Sequence, residues 1–449
     1  MRSATLACAS ALALSLAAAA NAQDAAQQDI RRPGGLTLDM LAPPAPDPKE
    51  VADAALNAAP VWDGHNDVPW QLRGRYNNVL LNFDFGNTRA QGTGPLETAM
   101  HTDLPRLRAG KVGAQFWSVY VSAALPEPEA VVATMEQIDV TKRLIARYPR
   151  ELQLALTSGD VADAMAAGRI ASLLGMEGGH SIGSSLAVIR QMYALGARYL
   201  TLTHSSNTPW ADSATDDPEH DGLTEFGTIV VREMQRIGML VDLSHVSEAT
   251  MLDALDTIRE TRGAPVIFSH SGARAVAAHL RNVPDSVLTR LPENGGIVMV
   301  VALPSFISNN VREWNARQTA EIERLEALYP DAPDQVDAEL ATWLTANPAA
   351  TATIADMADH IDHIRNVAGI DHIGIGGDYD GMPSGPVGME DVAGYPALFT
   401  ELARRGYSQE DLQKISSRNM MRVMQAAEAY AADHADDLPL ETPVSEEAA

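Results

Sequence analysis

The stretch APVIFSH, residues 264–270, sets five apolar residues in a row and then turns polar at Ser269 and His270. A strand with one face in water alternates apolar and polar residues, whereas a strand covered on both faces, as in a parallel sheet, runs apolar without a break. Similar runs recur along the chain as AQFWSVYV (114–121), ASLLGM (171–176), ARYLTLT (197–203), GMLVDLS (238–244), GIVMVVAL (296–303) and HIGIGG (372–377), with VWDGHND (61–67) in front. Between them lie longer stretches of helical spacing such as SLAVIRQMYALG, EATMLDALDTIRE and DMADHIDHIRNVAG. Such β-α alternation reads as an α/β fold, and eight strands predict a (β/α)8 TIM-type barrel. A ninth run, LQLAL (152–156), keeps an open doubly wound sheet as the rival. Residues 311–348 are acidic and helical in pattern, and read as a helical insertion before the last strand.

The flanks read differently. Residues 1–22 carry one positive charge, Arg2, then an unbroken run of small apolar residues closing on Ala20-Asn21-Ala22. That is the pattern of a secretory signal peptide cleaved after Ala22, and its brevity and alanine content point to a bacterial periplasm. The single cysteine, Cys8, lies inside this segment, so the exported chain has no disulfide to hold it together. Residues 23–50 read as a Pro/Ala-rich leader, 51–430 as the barrel domain and 431–449 as an acidic flexible tail. No later stretch is apolar enough for stable membrane insertion. A formal net charge of −26 repels polyanions, so nucleic acid is excluded as a partner.

Polar, metal-competent residues stand at the ends of the strand runs. His65 and Asp67 are two apart in DGHND, Glu177 follows ASLLGM, His204 follows RYLTLT, and His245 follows MLVDLS. His270 follows PVIFS and Asp378 follows HIGIGG. In a parallel barrel all C-terminal strand ends open on one face, so these residues are expected to converge. Imidazole and carboxylate donors suit Zn²⁺ and related ions. Any one strand-end histidine is ordinarily a hydrogen-bonded rim residue. A whole series of them is not explained by packing, because buried charge is costly without a partner.

The stretches DGHNDVPW, LRAGKVGAQFWSVY, GMEGGHSI, YLTLTHSSNTPWADS, VDLSHVSEATM, PVIFSHSGAR, RNVPD and GIGGDYDG run in order over residues 60–425 and resemble the membrane (renal) dipeptidase family. The resemblance implies a dinuclear zinc dipeptidase on a (β/α)8 barrel, hydrolysing free dipeptides by a metal-bridging hydroxide, those with a C-terminal D-residue included. It implies that His65 and Asp67 ligate one zinc, that Glu177 bridges both, and that His245 and His270 ligate the second. His204 then resembles the non-ligand histidine near the scissile carbonyl, Arg281 the arginine that grips the dipeptide, and Asp378 the acid/base residue. Mammalian members are lipid-anchored, disulfide-linked dimers. Without cysteine or a hydrophobic C-terminal tail in the mature chain, the resemblance carries over neither feature and leaves a non-covalent homodimer as the compatible assembly.

Two other readings stay open at the level of sequence. Gly179-His180-Ser181-Ile182-Gly183 matches G-x-S-x-G between a strand and a helix, the setting of a serine-hydrolase elbow with Ser181 as nucleophile. An exported zinc- or ligand-binding protein without turnover is the other. His180 reads as a neighbour of Glu177 or a turn-packing residue, and His360 and His363 share a helix face expected outside the barrel. His101, His220, His279, His372 and His434 fit no pattern.

Overall fold

A computed structural model describes residues 46–89 and 99–442. The stretch read as a signal peptide, the expected leader up to residue 45 and the end of the acidic tail lie outside the described residues. Among the described residues nine parallel strands form in chain order: β1 Val61–Asn66, β2 Val112–Ser118, β3 Leu152–Leu154, β4 Ile170–Glu177, β5 Ala197–Thr201, β6 Leu240–Asp242, β7 Ile267–Ser271, β8 Ile297–Val300 and β9 Ile373–Ile375. Eight of them close on themselves as β1-β2-β4-β5-β6-β7-β8-β9, with β9 returning to β1. This closure excludes the open doubly wound sheet.

The ninth run is a strand, but it stands outside the closed ring. Leu174 of β4 is paired by Trp117 of β2 on one edge and by Ala197 of β5 on the other. The short β3 shares the β5 edge of β4, pairing Leu152 with Ile170 and Leu154 with Ser172 below the point where β5 begins. The strand residues are almost all buried, as the unbroken apolar runs require.

Helices cover the outside, and their starts follow local chemistry. Thr224 caps Glu225–Ile237 by accepting the Gly227 amide, and Ser247 caps Glu248–Thr261 by accepting the Thr250 amide. The acidic insertion is a helical hairpin, Asn309–Leu328 and Pro333–Ala346, preceding β9 and joined by Trp314 against Trp343 at 6.1 Å. No helix among the described residues is long and apolar enough to cross a membrane.

Both flank boundaries shift. The first helix, Pro48–Ala58, starts inside the stretch read as leader and buries Ala52, Ala55 and Leu56. At the other end, residue 431 falls within the helix Asn419–Asp433, and Leu440 still packs on the core while its amide donates to Glu233 at 3.2 Å. The acidic composition there concealed these few apolar anchors.

Candidate metal centre and substrate cavity

Side chains from seven strand ends converge at the C-terminal mouth of the barrel. Glu177 is at the centre. Its Oε2 lies 3.3 Å from His65 Nε2 and accepts a 2.9 Å hydrogen bond from Ser118, which ends β2. Its Oε1 lies 3.0 Å from His245 Nε2 and 3.5 Å from His270 Nε2. His65 Nε2 also stands 3.3 Å from Asp67. Ligand-capable atoms of three overlapping groups, His65-Glu177-His270, Glu177-His204-His245 and His65-Asp67-Asp378, lie within 4.8 Å of one another.

Local structure explains why these side chains point where they do. Register shifts interrupt β1 between Asp63 and Asn66 and β7 between Phe268 and Ser271, the segments that carry His65 and His270. Such irregularities break strict alternation and re-aim a side chain. Asp67 sits at the N-cap of the helix Val68–Tyr76 without capping it, so its carboxylate faces the site instead. His245 takes a left-handed backbone, φ 70°, and its carbonyl is pinned by the Ala214 amide at 2.7 Å. Tyr199 donates or accepts at His65 Nδ1, 2.9 Å away. Its ring occupies the space that Gly175 leaves, since a Cβ there would stand 2.0 Å from the ring.

The donor set fits a divalent cation. His65 Nε2 is buried and makes no hydrogen bond among the described residues, although two carboxylates flank it. Burial alone would push His65 down, yet Tyr199, Glu177 and Asp67 hold it well above the usual imidazole range. Thus the pocket draws in positive charge. Burial raises Glu177, but the surrounding imidazoles, His65 first, pull it well below the usual carboxylate range. On the other side the His245 and His270 Nε2 atoms face each other at 3.0 Å. Burial keeps both rings neutral, the form that ligates a metal.

His204, Arg281 and Asp378 surround this centre. His204 stacks between Tyr120 and His245, at 4.5 and 4.2 Å, with Nε2 3.7 Å from Glu177, farther than His245 or His270. Arg281 is buried, its Nη2 donating to the His270 carbonyl at 3.3 Å and its guanidinium 5.3 Å from the Phe306 ring. No carboxylate lies within 4.0 Å of it among the described residues, and its Nε lacks a partner. Asp378 stands on a left-handed turn three residues past β9. These groups border a cavity of about 310 Å³ that Trp70, Tyr120, Leu303 and Phe306 also line.

Sequence reasoning passed over Ser118 and the cavity's apolar walls. Ser118 ends β2 as Glu177 ends β4, so the strand-end rule reaches it once hydroxyl groups are admitted. Leu303 and Phe306 give no such signal. The elbow reading of Ser181 fails. That hydroxyl is buried and donates to the Gly178 carbonyl at 2.7 Å, and among the described residues no histidine nitrogen bonds to it. His180 turns away from Glu177 to bond the Val121 carbonyl at 3.2 Å.

A buried carboxylate ringed by imidazoles at the mouth of a parallel barrel defines a metal-dependent hydrolase. The family model of membrane dipeptidase (peptidase family M19) matches residues 49–437, and the chain belongs to that family of metallo-dipeptidases. Dipeptidase 3 of Rattus norvegicus is 41% identical over 399 residues, which covers 88% of this chain and 70% of the relative. Among solved structures, the probable dipeptidase PvdM from Pseudomonas aeruginosa superposes with a TM-score of 0.70 at 21% identity, over 86% of this chain and 99% of that one. A metallo peptidase from Rhodobacter sphaeroides, liganded with a phosphinate mimic of the dipeptide L-Ala-D-Ala, gives 0.65 at 23% identity over 82% and 99%.

Proposed function

We propose that the protein is an exported dinuclear zinc dipeptidase that hydrolyses free dipeptides, those with a C-terminal D-residue among them. The observation that carries this reading is the division of donors by Glu177, whose Oε2 faces His65 and whose Oε1 faces His245 and His270. His65 and Asp67 would hold one ion and His245 and His270 the other, with Glu177 shared between them. Zinc held there would supply Lewis-acid polarisation of a carbonyl and a more acidic water. A D-residue is included because the Rhodobacter sphaeroides relative binds a mimic of L-Ala-D-Ala on the same fold.

The chain's own groups do the rest. Arg281, a buried cation without a carboxylate of its own, takes the substrate's C-terminal carboxylate and so restricts substrates to short free peptides. Burial pushes His204 down to about 4, so its ring is neutral at physiological pH. With Nδ1 facing the Ser205 hydroxyl at 3.2 Å, Nε2 offers its hydrogen to the carbonyl oxygen as charge develops there. Burial, reinforced by Asp67 and Glu177 against the pull of His65 and Arg281, pushes Asp378 up to about 8. From its place on the cavity wall its carboxyl carries a proton to the departing amine.

The test uses the chain purified from the periplasm of an expression host, where Gln23 is expected as its first residue. Free L,L- and L,D-dipeptides, each paired with its C-terminal amide, are assayed before and after chelation, with metal content measured alongside. Two zinc ions per chain and chelator-sensitive cleavage of the free dipeptides alone are expected. Equal cleavage of the amides overturns the role of Arg281. Cleavage that survives complete metal removal overturns the metal mechanism, and two bound metals with no cleavage of any dipeptide would leave a binding protein.

A further inference from the structure

Asp378 and Asp380 both adopt left-handed backbone, φ 61° and 68°, on either side of Tyr379. Neither is glycine, and a left-handed backbone is strained for a residue with a side chain, so the turn persists only because its surroundings hold it. The Asp378 half is tied to β1 and its extension. The Asp378 amide donates to the His65 carbonyl at 3.1 Å, and the Asp67 amide to the Tyr379 carbonyl at 2.9 Å.

The Asp380 half is held from 279 residues away. The His101 amide donates to Asp380 Oδ1 at 2.8 Å, and the Asp380 amide donates back to His101 Nδ1 at 3.1 Å. Because an amide can only donate, His101 Nδ1 is the acceptor in this bond. Gln71 adds a 2.6 Å bond to the Asp380 carbonyl, and the His101 ring packs edge-on to Tyr379 at 5.9 Å.

His101 itself has little freedom. Arg106 donates to the Met100 carbonyl at 2.9 Å, Asn66 to the Thr102 hydroxyl at 2.8 Å, and Asp103 caps the helix Leu104–Ala109. The turn has no slack on the site side either, since a Cβ on Gly381 would stand 2.3 Å from Asp67 and 2.7 Å from Asp378.

We propose that His101, which does not border the substrate cavity, is a positioning residue for hydrolysis, holding through Asp380 the turn from which Asp378 reaches the scissile bond. The inference rests on Asp378 as the proton carrier. A displacement of about 1 Å at a reacting group costs on the order of 100-fold in rate. Arg281, which takes the substrate carboxylate, makes no hydrogen bond to this turn and is held instead by the His270 carbonyl, so the loss belongs in kcat and not in KM.

The experiment compares metal-loaded His101→Leu and His101→Asn, with Asp378→Asn as reference. Asparagine places an acceptor close to the position of Nδ1; leucine keeps bulk and removes it. His101→Leu should lower kcat by about 10- to 100-fold while KM stays within about threefold. His101→Asn should restore most of that loss. Hydrogen exchange at the Asp380 amide should lose protection in the leucine variant and keep it in the asparagine variant, with metal content and melting temperature near wild type in both. Wild-type kcat in His101→Leu beside an inactive Asp378→Asn overturns the positioning role and leaves Asp378 standing. Equal loss in both His101 variants, or a loss that tracks metal content or melting temperature, also overturns it. Full turnover in Asp378→Asn overturns the reading beneath.

Discussion

At the N-terminal end of the barrel the interior is filled by Trp62, Phe116, Tyr199, Leu240, Ile267 and Met299, and two residues further along three of the same strands it holds Ser118, Asp242 and Ser269, equally buried. The lower layer asks only for volume and contact, as in the Phe116 ring set 5.9 Å from Trp62 and 4.9 Å from Tyr199. The upper layer must match every polar group with a partner. Asp242 meets that demand, accepting from the hydroxyls of Thr201 and Ser269 and from the Ser244 and Ser269 amides. Asp63 meets it as well, through Tyr395, Gly377 and the His65 amide. His65 Nε2 and Arg281 Nε do not. The contrast teaches how to separate structural from functional groups in one crowded layer. Asp242 and Asp63 are closed by their own hydrogen bonds, whereas His65 and Arg281 at the same mouth each keep a buried nitrogen without a partner.

The sharpest way to break that comparison is Glu177→Gln. If the upper layer exists to hold cations, this change should lower turnover by about 1000-fold or more and deplete bound metal. Retention of both in a kinetic and metal-content assay would make Glu177 another structural carboxylate. Next in size, Phe116→Ala should cost about 3–5 kcal/mol in urea unfolding, as expected for a buried aromatic. Turnover per folded molecule should stay within about twofold, because the lower layer touches no substrate. A large fall in turnover at full folding would show that the two layers are not separable. Smallest is Tyr199→Phe, which spans the layers by sending its hydroxyl up to His65 Nδ1. Its stability should change by only about 1 kcal/mol. Metal affinity, read by competition with a chelator, should weaken about 10- to 100-fold, the usual effect of removing a ligand's outer partner.

Much of the mouth was legible from single stretches. PVIFS-His270 and HIGIGG-Asp378 announce a buried strand and a polar end within a few neighbouring residues, and the β-α alternation places all such ends on one face. Apolar residues contribute volume without a marker, so Leu303 and Phe306 went unread until the cavity placed them. His101 had no pattern around it, since its partner lies in GGDYDG at the far end of the chain.

The sequence by itself determined the class of fold, the strand runs and the chemical inventory at their ends, because periodicity and strand-end polarity are properties of adjacent residues. Only the tertiary structure decided that β2 meets β4 and leaves β3 outside the ring, that register shifts in β1 and β7 accompany His65 and His270, and that Glu177 divides its neighbours in two. Those outcomes depend on contacts between residues tens to hundreds of positions apart. Which polar group finds a partner, and which is left for a ligand, is settled only when those distant segments share one desolvated space.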